Sequence, residues 1–455
     1  MNLGPFAVSG YHVGDCRDLL RQLPDGCIHC CVTSPPYWGL RDYGTGSWEG
    51  GDPDCNHAGK LNPKRDTSGG TNGRFADTRG QQPAKAYSVP LLGDCACGAR
   101  RVDSQLGLEP TPAEYVAHMV EVFREVKRVL RNDGTLWLNL GDTYSRLPEK
   151  GDNTGWGKHS AIPDLLPGHA RQTGGLPPKN LVGIPWLVAF ALQADGWYLR
   201  SDIIWEKSNP MPESVTDRPT RAHEYLFLLT KSEHYYYDNE AIKEEASKKS
   251  HPRGDGVNPK AGKNETSGLR RAVGFNQRWM VKQNASFSAA VTGLVEKRNK
   301  RDVWTIGSEP TPEAHFATFP TELVRTCILA GTSERGVCAT CGAPLERVVE
   351  QAKIPDRPGR VQGRLGDSIE EAHGQDVRAG DRYSLSSRTI GWGPTCACRA
   401  AVVPAVVLDP FGGSGTTGQV AEDLHRKWIL FDLSAEYAKI AKRKTAQPSL
   451  LTWGK

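Results

Sequence analysis

Four consecutive residues, Ser34-Pro35-Pro36-Tyr37, set two hydrogen-bond acceptors beside an aromatic plane. They follow the apolar run Cys27 to Val32, rich in β-branched residues and cysteine, which reads as a buried strand that breaks off where a ligand can approach. The prolines fix φ and lack N–H groups, so Ser34 Oγ and the Pro35 carbonyl can converge as acceptors while Tyr37 presents a ring face. Such a set suits a flat heterocycle with an exocyclic amino group. The plainer reading is that Pro-Pro ends a strand and Tyr37 caps the core. A second strand, ending at Leu408, runs through Asp409-Pro410-Phe411 into Gly412-Gly413-Ser414-Gly415-Thr416-Thr417-Gly418, a glycine-rich turn that opens a helix. Gly413-x-Gly415-x-x-Gly418 also satisfies the dinucleotide fingerprint, whereas the lack of a lysine after the glycines excludes a Walker phosphate loop. Asp432, which ends the following strand Trp428 to Phe431, is placed to accept both hydroxyls of a ribose.

The chain has 12 cysteines, and in an intracellular enzyme these serve as thiols or metal ligands rather than disulfides. Cys338-x2-Cys341-Gly342 has the form of a zinc-ribbon knuckle, and Cys396-x-Cys398 completes four thiolates. Cys55-x-His57 and Cys95-x-Cys97 supply a second set for tetrahedral zinc, with tighter spacing than usual, and the polar residues between them would form a loop closed by the metal. Reduced free thiols are the alternative for both. Residues 346–389, charged and poor in apolar side chains, are expected to form a flexible loop.

Together, the Ser34 and Asp409 stretches resemble the amino-methylating DNA methyltransferases, with their Ser/Asp-Pro-Pro-Tyr and Asp-Pro-Phe-x-Gly-Ser-Gly motifs. The resemblance implies a seven-stranded, mostly parallel, Rossmann-like α/β sheet that binds S-adenosyl-L-methionine and acts on double-stranded DNA. It implies catalysis by Ser34, Pro35, Pro36 and Tyr37. It implies donor contacts from Asp15, Thr33, Phe319, Pro320, Asp409, Pro410, Phe411, Gly413, Ser414, Gly415, Thr416 and Asp432. In the family an acidic residue at the place of Asp15 meets the adenine amino group; on its own, Gly14-Asp15 reads as a turn or cap. Trp205-x-Lys207-x-Asn209-Pro210 resembles a late motif that helps build the base pocket, though Trp205 also reads as plain core. The donor strand comes last in the chain, as in the circularly permuted subclass of bacterial and phage enzymes, some of which have a cognate restriction endonuclease as partner. Serine at the first motif position favours cytosine N4 over adenine N6. The paired motifs favour S-adenosyl-L-methionine over NAD, so a nicotinamide oxidoreductase is the weaker reading, as is an inactive DNA-binding relative. Cytosine C5 methylation would need a Pro-Cys pair, and none occurs.

These motifs need a scaffold, and 455 residues suffice for an α/β domain with smaller modules. A formal charge of +5 permits a nucleic-acid partner without demanding one. No apolar run is long enough to cross a bilayer and no signal pattern opens the chain, so a cytoplasmic location is expected. Tyr115, Met119, Val122, Phe123, Val126, Val129 and Leu130 recur at helical spacing, and strands are expected over 135–140, 199–207, 225–230 and 403–408. Asp142 and Tyr144, after the first of these, would line the pocket or cap a loop. The expected division is catalytic domain at 1–44 and 108–240, with a Cys/His insertion at 45–107 and a target-recognition region at 241–303. A donor-entry helix at 304–335, a four-cysteine insertion at 336–399, the donor-binding strands at 400–446 and a tail at 447–455 complete it. Between Ile242 and Arg301 there are 14 Lys/Arg against five Asp/Glu, with Phe275, Trp279 and Phe287 interspersed, which suits phosphate contacts or plain solvated surface.

Overall fold

A computed structural model describes residues 2–40, 45–52, 54–55, 95, 97–145, 176–245, 297–309, 319–355 and 383–446. His57, the interspersed Phe275, Trp279 and Phe287, and most of the basic region lie outside the described residues. The chain forms two compact units: Met1–Tyr236 with Asp302–Gly331 and Pro404–Lys455, and Tyr237–Arg301 with Thr332–Val403.

The first unit is a mixed α/β fold on one large sheet. In chain order its strands are β1 (Gly10–Val13), β2 (Ile28–Thr33), β3 (Leu130–Leu140), β4 (Tyr198–Lys207), β5 (His223–Thr230), β6 (Val303–Ile306), β7 (Val406–Asp409) and β8 (Lys427–Asp432). The spatial order is β6-β4-β5-β3-β2-β7-β8-β1, and only β5 runs antiparallel to its neighbours. The sheet thus has eight strands, one more than expected, because Val303–Ile306 adds to the edge of β4. Strand β7 lies between β2 and β8, pairing with both in parallel. Cys30, Cys31, Val407, Leu408, Ile429 and Leu430 are all but fully enclosed, as a parallel sheet covered on both faces requires.

The helices are α1 (Cys16–Arg21), α2 (Pro112–Val129), α3 (Ile184–Ala194), α4 (Thr321–Gly331), α5 (Thr416–Asp423) and α6 (Ala435–Ala446). Thr111 caps α2 by accepting from the Glu114 N–H, Pro112 occupies its first turn, and the apolar series expected from the sequence faces the core. Helix α3 starts at Ile184 because the Asp142 carboxylate accepts from the Gly183 and Ile184 N–H groups. The strand expected from Val403 to Leu408 is split, since Pro404 has no N–H to donate. Val402–Val403 pairs instead with Val337–Cys338.

The second unit corrects one expectation. Of residues 346–389, those described are not a flexible loop: Leu345–Pro355 and Tyr383–Pro394 pair as long antiparallel strands, and residues 356–382 lie outside the described residues. Arg347 anchors the pair, lying 4.4 Å over the Trp392 ring and bonding both oxygens of buried Asp238.

The glycine turn depends on Gly415, which has φ of +85° and leaves no space for a side chain. A Cβ there would lie 2.5 Å from Ala441 Cβ on α6. Gly415→Ala is expected to destabilise the first unit by at least about 1 kcal/mol from the left-handed backbone alone, with the contact adding to it. A lowered urea unfolding midpoint checks this.

Candidate active site

Strands β2 and β7 end side by side, and a buried carboxylate ties their ends together. Asp409, closing β7, has no exposed surface. Its Oδ1 accepts from Thr33 Oγ1 at 2.6 Å and from the Phe411 N–H at 3.0 Å, and its Oδ2 accepts from Thr417 Oγ1 at 2.7 Å. Burial pushes its carboxyl up to about 6 despite these donors. Asp409 and Thr33 are therefore enclosed structural groups, and their influence on any ligand passes through the strand ends they join.

The turn after β7 offers bare backbone. The space at Gly413 is open, the nearest atom to a built Cβ being the Phe411 carbonyl oxygen at 3.8 Å. Asp432, at the end of β8, accepts from the Gly413 N–H at 2.9 Å and the Ser434 N–H at 2.8 Å, one on each oxygen. The Leu433 N–H adds to these, and the carboxylate, with about four lone pairs in all, keeps capacity to accept from a ribose hydroxyl. Burial raises the Asp432 carboxyl and the neighbouring Tyr11 phenol, whose hydroxyl donates to the Gly413 carbonyl. Lys444 from α6 donates to Ser414 Oγ at 2.9 Å. Gly412 and Thr416 flank the turn, Pro320 precedes α4, and Phe319 is half-buried beside it. Asp15 caps α1, with both oxygens held by Arg17 at 2.5 to 3.0 Å.

At the end of β2, Pro36 and Tyr37 are fixed from several sides. The Pro36 carbonyl accepts from Tyr115 Oη at 2.9 Å and the Trp38 indole donates to the Glu109 carbonyl, while no donor meets the Pro35 carbonyl among the described residues. Gly141, after β3, makes room for the Tyr37 ring, because a Cβ there would lie 2.6 Å from Tyr37 Cε2. Ser34 Oγ donates to Tyr37 Oη at 3.2 Å, and Tyr37 Oη donates to Glu224 Oε2 at 2.6 Å. Asn139 Nδ2 bonds that same carboxylate oxygen at 2.9 Å and Tyr37 Oη at 2.7 Å, and Lys207 Nζ pairs with Glu224 Oε1 at 2.5 Å.

Asn139 and Glu224 escaped the reading of the sequence. Their signal was there: each is a polar residue in or against an otherwise apolar strand, Leu136-Trp137-Leu138-Asn139-Leu140 and Glu224-Tyr225-Leu226-Phe227. Of the late motif, Trp205 is buried with its indole on the Ile306 carbonyl and with Lys207 Nζ 4.9 Å over its ring, so it is core and support for Lys207 at once. Asp142 is a cap of α3, and the Tyr144 ring lies 4.2 Å under the Arg218 guanidinium.

Two thiol clusters complete the inventory among the described residues. The ligand atoms of Cys338, Cys341, Cys396 and Cys398 all lie within 4.8 Å of one another, as do those of Cys55, Cys95 and Cys97. Tetrahedral zinc at about 2.3 Å from each sulfur sets them about 3.8 Å apart, so a small contraction would close the first cluster on a metal. The Cys341 and Thr340 backbone N–H groups hold the Cys338 thiol down, to about 6. Cys398, facing Cys341 and Cys396, is pushed up to about 12.

A family model described as DNA methylase matches residues 28–339 and 404–443. The chain is 33% identical over 434 residues to the Type II methyltransferase M.Cfr9I of Citrobacter freundii, across 94% of this chain and 84% of that protein. It is 32% identical over 435 residues to the Type II methyltransferase M.SmaI of Serratia marcescens, across 95% and 89%. The resemblance drawn from the two motifs is borne out. No helix among the described residues is long and apolar enough to cross a membrane.

Because the Asp409 carboxyl is raised in the fold, its contribution to stability is complete below a pH of about 3.8 and is lost as pH rises through about 6. Asp409→Asn, which cannot ionise, is expected to gain on wild type by up to about 3 kcal/mol between pH of about 4 and about 7. Urea midpoints at the two pH values measure this, and a constant difference between the proteins would show that Asp409 does not titrate there.

Proposed function

The chain belongs to the DNA methylase family, and on that premise we propose that it transfers a methyl group from S-adenosyl-L-methionine to the exocyclic amino group of a base in double-stranded DNA. The observation that carries the reading is the adjacency of an open glycine turn with its Asp432 carboxylate and an acceptor pair, Ser34 Oγ and the Pro35 carbonyl, on neighbouring strand ends. The donor supplies an electrophilic methyl group on a sulfonium. The Gly413 turn and Asp432 would hold its ribose, with Pro410, Phe411, Ser414, Gly415, Thr416, Phe319 and Pro320 around it. The target nucleotide leaves the stack and its ring lies against Tyr37. Ser34 Oγ and the Pro35 carbonyl accept the amino protons, which localises the nitrogen lone pair. That nitrogen then bonds the methyl carbon as the carbon–sulfur bond breaks toward sulfur, and one amino proton is released. Positioning and local electrostatics carry the catalysis.

Serine in the first motif position supports cytosine N4 as the product, with adenine N6 as the alternative. The test is incubation of the purified chain with genomic DNA and labelled donor, followed by nucleoside mass spectrometry. N4-methylcytosine is the expected product, and N6-methyladenine would overturn the base while keeping the mechanism. Ser34→Ala is expected to lower the transfer rate on the order of 10²-fold while binding the donor as wild type does.

The thiol clusters support structural zinc, held by Cys338, Cys341, Cys396 and Cys398, and by Cys55, Cys95 and Cys97 with His57. Elemental analysis is expected to find about two zinc ions per chain, falling by about one in Cys341→Ser and by about one in Cys95→Ser. An unchanged content in either variant would remove that cluster from the assignment.

A further inference from the structure

The hydrogen bonds behind Ser34 have a direction. Glu224, ion-paired with Lys207, is an acceptor only, so Tyr37 must give its proton to Glu224 Oε2. The Tyr37 oxygen is left to accept, and it accepts from Asn139 Nδ2 and from Ser34 Oγ. Asn139 cannot turn its amide around, because its Oδ1 would then face the carboxylate; Nδ2 stays inward and also lies 3.4 Å from Ser34 Oγ. The Ser34 proton is thereby committed to Tyr37. Toward anything approaching the strand end, Ser34 Oγ can present only a lone pair.

We propose that Glu224 is a positioning residue that fixes this polarity, making Ser34 an obligate acceptor, and that the site thereby selects a base with an amino group over one with a carbonyl oxygen at the same ring position. The inference rests on the methyl-transfer reading. Cytosine and adenine present N–H donors there, whereas their deaminated counterparts present an acceptor that would face Ser34 Oγ and the Pro35 carbonyl with no hydrogen between. A buried acceptor set left unpaired discriminates strongly against such a base. Lys207 contributes by holding Glu224 Oε1, which fixes where Oε2 points. In Glu224→Gln the amide oxygen stays on Lys207, so its NH2 falls where Oε2 was, facing Tyr37 and Asn139 Nδ2, and the Asn139 amide is free to turn over. With no carboxylate behind Tyr37 to fix the direction of these bonds, Ser34 Oγ is able to donate as well as accept toward the base.

The experiment uses wild type, Glu224→Gln, Ser34→Ala and the double variant. The probes are a synthetic duplex carrying the site that the chain methylates and the same duplex with the target amino group replaced by oxygen. Competition binding with S-adenosyl-L-homocysteine present gives the amino-to-oxo preference, and turnover with S-adenosyl-L-methionine gives kcat. Glu224→Gln is expected to lower kcat on the order of 10²-fold with the donor KM unchanged, and to reduce the preference about tenfold. On the Ser34→Ala background the same substitution is expected to change neither, because both act through one proton. An equal effect with and without the Ser34 hydroxyl, or an unchanged preference, would overturn the inference. Tyr37→Phe, which leaves the Glu224–Lys207 pair intact, is expected to reproduce the loss of preference and decides the matter if Glu224→Gln fails to fold. A wild-type chain that transfers methyl groups yet binds both duplexes equally sinks the inference and keeps the transfer reading. One that transfers no methyl group to genomic DNA sinks that reading, and the inference that rests on it falls with it.

Discussion

A single enclosed carboxylate sets the relation between the two halves of the site. Strand spacing alone would place the ends of β2 and β7 about 4.8 Å apart. It would not fix how the turns beyond them are rotated. Asp409 does so, because Thr33 on β2, Thr417 on α5 and the Phe411 N–H all converge on it. Burying it raises its carboxyl, and the three donors offset that cost only in this one geometry. The acceptor pair after β2 and the open turn after β7 are thus held as one rigid frame.

From that frame rigidity passes outward on the β2 side. Tyr115 from α2 takes the Pro36 carbonyl, and the missing side chain of Gly141 leaves room for the Tyr37 ring beside β3. With Pro36 spoken for and Tyr37 bonded to Glu224, the groups left to face a ligand are Ser34 Oγ and the Pro35 carbonyl. Preorganisation of this kind matters because dipoles already in place need not reorganise as charge develops. The scaffold and the chemistry meet in the same few bonds.

Much of this was legible from residue types. Helix α2 carried its cap, its proline and its apolar stripe openly, and both motif strands announced themselves by apolar runs ending in proline or glycine. Hidden were relations between distant strands. Nothing local ties Glu224 to Tyr37, 187 residues apart, and Asp409 reads as a ligand contact until its partners enclose it. The strand pair of the second unit was missed because its charged strands alternate poorly; its order comes from Arg347 bridging Asp238 and Trp392. The eighth strand was too short to separate from the loop that carries it.

The chain order imposes a further condition. The central strand β7 lies far from β2 in sequence, so their pairing closes a long loop; the Thr33 to Asp409 bond spans 376 residues. Loop closure grows only logarithmically, each doubling costing about 0.6 kcal/mol, so this order costs little at equilibrium. Its consequence is kinetic. Until β7 arrives, β2 has an unpaired parallel edge of Ile28, Cys30, Cys31 and Val32, all of them buried in the finished fold. The pairing of β2 with β3 spans 105 residues at Cys30 and Thr135, far fewer than the 376 at Thr33 and Asp409, so β3 closes the shorter loop and leaves one edge to protect rather than two. The same edge receives β7 and becomes the seam of the site, so the site is complete only once β7 has paired and Asp409 is enclosed.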